Sequence, residues 1–388
     1  MLTTLCVFMA IKIAIVMNIV PQYRKDFYRR IMTSKSLHCV LFCQREIRGS
    51  TISSVHTELP GEVVELSYFA LPPEKLVWQR LPIRYLWRQF DIYVFNGNPR
   101  FLSTLIWATA LRLARRKVII WGQVHTAGAS MLQERIRLSW WKLFDYFFVY
   151  TDSEVQRLKQ RGFKTKTIVG MNNGLDQHSH ELQMRHWQGQ RLDAWKKNEG
   201  LEGRRIILSC ARLETKNRFD LMIQCMPALT EKFNDITWCI IGDGSMATAL
   251  KKQAERSGAE RHISWLGAIY DEEDLAPWFM VSECLVHPGA IGLSLLHAFG
   301  YGLPVITHDN VRNQMPEIAA LKNGWNGLLY RENDPGALLE RIIELLQDDL
   351  RLNQMRDNAL NVATTEFNTQ IMASRFAELI QAAGSADA

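Results

Sequence analysis

The stretch HPGAIGLSLLHAFGYGLPVITHD, His287 to Asp309, reads as a strand end, a glycine turn, a helix, a Gly-Leu-Pro break and a second strand. Gly292 lets a ligand reach the backbone. The N–H groups of Leu293, Ser294 and Leu295 stand at the helix start, where no intrahelical acceptor exists and the dipole favours negative charge. Leu293, Leu295 and Leu296 are also simply core-forming residues. In SCARLETKN, Arg212 and Lys216 follow another apolar run. A guanidinium fork and an ammonium point charge at a strand–helix loop suit a diphosphate. Opposed to the Gly292 turn, they make a two-sided clamp; taken singly, either is as readily a surface cation.

Three further loops carry weaker signals. IIGDGS, Ile240 to Ser245, allows a tight strand-to-helix turn, but it is neither a dinucleotide fingerprint nor a P-loop. WLGAIYDEED places Ala268, Ile269 and Tyr270 where a base could meet them, or is a plain turn before an acidic helix start. In IIWGQVHTAG, His125 is the candidate catalytic residue and Gln123 a second polar group, with a structural histidine as the bland alternative. No Asp-x-Asp follows a strand, and no metal site or cofactor is expected. The seven cysteines are scattered and odd in number, which suits buried reduced thiols; Cys39 and Cys43 lack a second pair of zinc ligands.

Positioning these loops takes alternating strands and helices. Strands are expected at 12–17, 39–43, 62–66, 91–95, 117–121 and 147–150, then near 206–209, 237–241, 263–266, 284–286, 305–307 and 327–329. Helices are expected near 24–33, 100–115, 131–144 and 153–161, and between the later strands. This alternation predicts α/β architecture with parallel sheets, and twelve strands predict two doubly wound domains. The polar stretch from Asp176 to Arg205 marks the boundary. Two helices close the chain. One has Asp334 as cap, Pro335 as first residue and Leu338, Leu339, Ile342, Leu345 and Leu346 on one face; the other carries Met372, Phe376, Leu379 and Ile380.

Residues 1–20 are apolar over about the length of a membrane span, yet IKIAIVMN suits a first buried strand behind a short leader, with Met9 an alternative start. Charge is divided unevenly. Residues 1–180 carry 25 Lys and Arg against 12 Asp and Glu, a net +13, which leaves −7 for the remainder. The cations fall among aromatics in YRKDFYRR, IRYLWRQF, LRLARRK and ERIRLSWWK. Each run alone is a solvated helix face. Together they suit an anionic membrane surface; no nucleic-acid motif accompanies them, and no nucleic-acid partner is expected.

The ordered set RL…KN, IIGDG, LG, PGAIGLSLLHAFGYGLPVITHD, NGWNGLL and NNGLD resembles the family-4, group 1 retaining glycosyltransferases of GT-B fold, over about residues 145–348. The resemblance implies two Rossmann-like domains facing a cleft: 1–175 on the acceptor side, 176–203 a linker, 204–365 binding a nucleotide sugar, and 366–388 a helix returning to the first domain. It implies a UDP- or GDP-sugar as donor. Arg212 and Lys216 would touch the diphosphate, Gly289, Gly292, Leu293 and Ser294 phosphate and sugar, Ala268, Ile269 and Tyr270 the base, and His297 the ribose. The acceptor would be a glycan or lipid-linked sugar in surface polysaccharide synthesis, at the cytoplasmic face of a membrane, with the enzyme peripherally attached. Two departures stand out. The family's paired glutamates are replaced by Gly289 and His297, and three residues rather than four separate Arg212 from Lys216. A binding protein that kept the fold, or a sugar-nucleotide epimerase, are the alternatives.

Overall fold

A computed structural model describes residues 10–47, 53–71, 76–82, 87, 89–124 and 130–385. The chain forms two compact units: one holds residues up to 124, 130–176 and the C-terminal segment from Thr369, and the other Gln177–Asn368.

The first unit is built on β1 (Ile11–Val16), β2 (Leu37–Cys43), β3 (Val63–Glu65), the hairpin β4 (Tyr68–Leu71) and β5 (Leu76–Gln79), β6 (Ile92–Asn96), β7 (Lys117–Gly122), β8 (Tyr146–Val149) and β9 (Thr167–Gly170). Seven of these form a parallel sheet in the order β3-β2-β1-β6-β7-β8-β9. Its strands are apolar on both faces, as a sheet covered by helices on both sides must be. Ala14, Val16, Val40, Phe42, Tyr93 and Phe95 point one way, with Leu138 and Trp141 of the helix Met131–Trp141. Ile13, Ile15, Leu41 and Val94 point the other way, against the helices Lys25–Met32 and Thr369–Ser385. Met372, Phe376, Leu379 and Ile380 are fully buried there. The Asp26 carboxylate accepts hydrogen bonds from Thr369, Arg29 and Arg30.

The second unit holds β10 (Arg205–Cys210), β11 (Ile236–Ile241), β12 (Ile263–Gly267), β13 (Cys284–Val286), β14 (Val305–His308) and β15 (Gly327–Tyr330). They form a parallel sheet in the order β12-β11-β10-β13-β14-β15. Helices Phe219–Lys232 and Pro335–Leu346 bury Met222, Met226, Leu338 and Ile342 on one face. Asp334 caps the latter through the Ala337 N–H, ahead of Pro335.

Residues 176–203 are not a linker. They fold as the helices Gln177–His186 and Gln190–Asn198, packed on the helix Glu272–Val281 of the second unit. Few residues do the docking, which is why the stretch reads as polar. His180 is buried, the Trp187 indole donates to the Glu273 carbonyl at 3.0 Å, and Trp195 meets Trp278 edge-on at 4.8 Å. All six described cysteines are free thiols, and burial pushes Cys39 and Cys284 up to about 12. Among the described residues no helix is long and apolar enough to cross a membrane.

Candidate functional site

In a doubly wound sheet, ligands settle beyond the C-terminal strand ends where the strand order reverses. In the second sheet that point lies between β10 and β13, which are hydrogen-bonded neighbours. Arg212 and Lys216 leave the end of β10, and Gly289 and Gly292 leave the end of β13. The two loops touch. The Gly289 N–H donates to the Asn217 carbonyl at 3.0 Å. A Cβ on Gly289 would lie 2.1 Å from the Lys216 carbonyl oxygen and 2.6 Å from Asn217 Cα. The glutamate expected at 289 from the family pattern therefore has no room. Asn217 is buried and its amide donates to the Arg212 carbonyl at 2.6 Å, which ties the loop in shape. The Arg212 and Lys216 side chains remain exposed.

The Gly289 N–H is thus committed within the protein, and its carbonyl accepts from Thr307 Oγ1 at 3.2 Å. Gly292 is different. It caps the helix Leu293–Gly300 with no side-chain cap bond and no acid in the first turn. A Cβ there would meet only Met315 at 3.6 Å and the Glu317 carboxylate at 4.0 Å. Leu293 and Ser294 are half-buried beside it, Leu295 and Leu296 are core, and the Leu295 N–H is not free as expected but donates to the Gly292 carbonyl at 3.0 Å. Buried Gln314 fixes the turn: its Oε1 accepts from the Ile291 N–H at 2.8 Å, and its Nε2 donates to Thr307 Oγ1 and the His308 carbonyl, both at 2.9 Å. His287 ends β13 fully buried. Burial, then His308 and the Lys216 charge, push it down to about 3, so it stays neutral beside the clamp.

The carboxylate missing along this helix comes from elsewhere. Glu272 Oε1 lies 2.8 Å from His297 Nε2 and also accepts from the Tyr301 hydroxyl at 2.5 Å. The His297 ring stacks on His180 at 5.0 Å and packs on Phe279 at 4.4 Å. Burial would raise the Glu272 carboxyl, but the charge and hydrogen bond of His297, with His180 and Tyr301, hold it at about 2. Burial, then the His297 charge, drive His180 down to about 3. Donor atoms of His180, Glu272 and His297 lie within 4.8 Å of one another, a spacing a divalent ion could use. The oxygen that would face such an ion already accepts two hydrogen bonds.

Ala268 and Tyr270 are exposed and Ile269 is half-buried in the turn after β12; Tyr270 is 88% exposed. The glycines of IIGDGS serve packing. A Cβ on Gly242 would lie 1.9 Å from the Ala211 carbonyl oxygen, and one on Gly244 2.6 Å from that of Leu213. They press the β11 loop onto the Arg212 loop. His125 lies outside the described residues; Gln123 is half-buried after β7. Of the basic runs, most of IRYLWRQF also lies outside. YRKDFYRR is not one solvated face: Arg24 is buried, Lys25 pairs with Glu58, and Arg29 and Arg30 pair with Asp26. No local sequence pattern marks Glu272, Gln314 or His180.

Residues 192–362 match the family model described as glycosyl transferases group 1. A GDP-mannose-dependent monoacylated alpha-(1-6)-phosphatidylinositol monomannoside mannosyltransferase of Corynebacterium glutamicum is 23% identical over 199 residues, 48% of this chain and 50% of that one. The chain spans about a third to a half of the length of the first curated relatives it matches. Among solved structures, a glycosyltransferase from Rickettsia africae superimposes with a TM-score of 0.73 at 12% identity, covering 97% of this chain and 100% of that one. Anabaena HepE in complex with UDP gives 0.69 at 14% identity, covering 96% and 100%. The fold is GT-B, with two Rossmann-like domains.

Proposed function

We propose that the protein, whose residues 192–362 match the group 1 glycosyl transferase model, moves a sugar from a nucleoside-diphosphate sugar to a glycan or lipid-linked acceptor, with retention of configuration, in surface polysaccharide or glycolipid synthesis. The observation that carries this reading is the joined pair of loops at the switch point: two exposed cations on one side and an uncapped, glycine-started helix on the other. That arrangement suits a diphosphate. HepE was solved with UDP and with UDP-glucose, and the Corynebacterium relative is named for GDP-mannose.

The chemistry asks little covalent work of the protein. The bond from the anomeric carbon to the diphosphate breaks, and the acceptor oxygen bonds the same face. Its proton passes to the leaving diphosphate. Lys216, Arg212 and the helix start stabilise the charge that develops there. A peripheral position at the inner membrane face is part of the same reading. Met131, Leu132 and Ile136 are exposed on one helix beside exposed Arg135, and Leu113 is 79% exposed near Arg115 and Arg116. Apolar and basic groups so mixed suit an anionic lipid surface.

The test is a thermal-shift screen of UDP, GDP and their sugars, followed by a transfer assay. One nucleotide should raise the melting temperature, and Lys216→Ala should weaken it about 10- to 100-fold, the loss of one charge-assisted bond. Absence of any nucleotide effect at millimolar concentration overturns the reading. Binding with neither hydrolysis nor transfer points to the binding-protein alternative.

A further inference from the structure

Arg24 stands just past the end of β1, as the cap of the helix Lys25–Met32. At 4% exposure it is the least exposed lysine or arginine among the described residues. Its surroundings are thioether and aromatic side chains. Nη1 lies 2.8 Å from Met372 Sδ and Nη2 3.8 Å from Met171 Sδ. The guanidinium sits over the rings of Tyr23, Tyr150 and Trp121 at 5.5, 5.7 and 5.8 Å. Among the described residues no carboxylate forms an ion pair with it. Asp26, two residues on, is held by Arg29, Arg30 and Thr369.

A guanidinium keeps its charge in a protein, and burying it without an anion is costly. Thioether sulfur is a weak acceptor, and the three rings offset only part of that cost. Methionine would fill the same space among Met171, Met372 and the rings without a charge to desolvate. The location adds the second argument. Trp121 lies on β7, Tyr150 follows β8 and Met171 follows β9. All stand at the C-terminal edge of the first sheet, where doubly wound folds take ligands. Tyr23, 38% exposed, is the most open of the three rings.

We infer that Arg24 is an anion-recognition residue of the first unit, which takes a phosphate or carboxylate group. On the transferase reading that group belongs to the acceptor, so the acceptor is acidic or phosphorylated. The anion site itself stands without that reading.

The test uses the full chain carrying Arg212→Ala and Lys216→Ala, which removes the cations of the second unit and separates this outcome from that of the donor site. Melting is followed in inorganic phosphate, in glucuronate and in chloride at equal ionic strength. Phosphate or glucuronate should raise the melting temperature by about 2 °C or more over chloride, and whichever does so names the group. Arg24→Met in the same background should abolish the rise while melting no lower than its parent in chloride. Arg24→Lys keeps the charge without the fork and should show a reduced rise, which tests the site should the methionine variant not fold. No rise in the parent overturns the inference. So does an unchanged rise in either Arg24 variant, the result expected of a purely structural strut.

Discussion

Replacing His297 by glutamate restores the residue that the family pattern favours, so it looks the mildest change at this site. The geometry predicts the opposite. A carboxylate at 297 would face Glu272 across the 2.8 Å contact that the imidazole now makes. Holding the Glu272 carboxyl near 2 rather than at its ordinary 4.5 corresponds to roughly 3 kcal/mol, and screening at a side chain about one-third exposed reduces this to about 1–2 kcal/mol. His297→Ala forfeits much of that. His297→Glu forfeits it and adds repulsion of about the same size, so it should cost about 2–4 kcal/mol at pH 7, roughly 5–15 °C in the melting of the second unit.

The pH dependence fixes the sign. The Glu272 pKa is depressed in the folded state, so its contribution is complete above the unfolded value near 4.5 and is lost as pH falls toward 2. In His297→Glu the pair shares a raised pKa. Its penalty is largest at neutral pH and is relieved as one carboxyl takes up a proton. The stability gap between the two proteins should therefore narrow as pH falls from about 5 to 4, where the variant's carboxyl pair takes up a proton. Calorimetric melting across that range measures it. A gap that stays constant or widens on acidification refutes the pairing, as does a variant that melts with the native protein at pH 7.

The two glycines of the β13 turn should separate structure from binding. Gly289→Ala must push back the Lys216 backbone and should cost about 1–3 kcal/mol together with nucleotide affinity, whereas Gly292→Ala should melt within about 2 °C of the native protein yet lose affinity at least about tenfold; titration beside melting curves reads both, and full affinity in Gly292→Ala would sink the backbone-approach idea. Deleting residues 369–388 uncovers Met372, Phe376, Leu379 and Ile380, roughly 6–10 kcal/mol of burial, so the first unit should lose its cooperative transition while the second keeps its own. Vesicles of anionic lipid should bind the protein at low salt and release it at about 0.5 M; equal binding to neutral vesicles would remove the electrostatic part of that reading.

The strands of both sheets were legible because a parallel strand buried on both faces is a short continuous apolar run, as in IKIAIV and ITWCII. The misses are elements without such a run. β9 is an edge strand whose Thr167, Ile168 and Val169 are only half-buried, and the β4–β5 hairpin is short and partly exposed. That Arg212, Lys216 and Gly292 stand in loops at strand ends was legible because each follows an apolar run. Glu272 was not, since it reaches His297 across 25 residues of sequence. Arg24 hides inside a basic run, and what buries it includes Met372, 348 residues away.

On the proposed donor reading, a clamp of this construction holds the diphosphate and is indifferent to the sugar. One half is a pair of cations and the other is backbone, and any nucleoside-diphosphate sugar satisfies both alike. The side chain that would distinguish sugars in the family pattern stands at 289, where the Lys216 carbonyl lies 2.1 Å from the place a Cβ would take. No substitution there can restore it without dismantling the clamp. The N–H that could have replaced it is bonded to Asn217. The β13 turn therefore contributes little to sugar binding in the ground state. It follows that the free nucleoside diphosphate should bind within about threefold of the complete donor, a difference of about 0.7 kcal/mol. Calorimetric titration of UDP or GDP against the matching sugar nucleotide tests this. A donor bound more than about tenfold tighter than its nucleotide would mean that the sugar is held by contacts this turn does not supply.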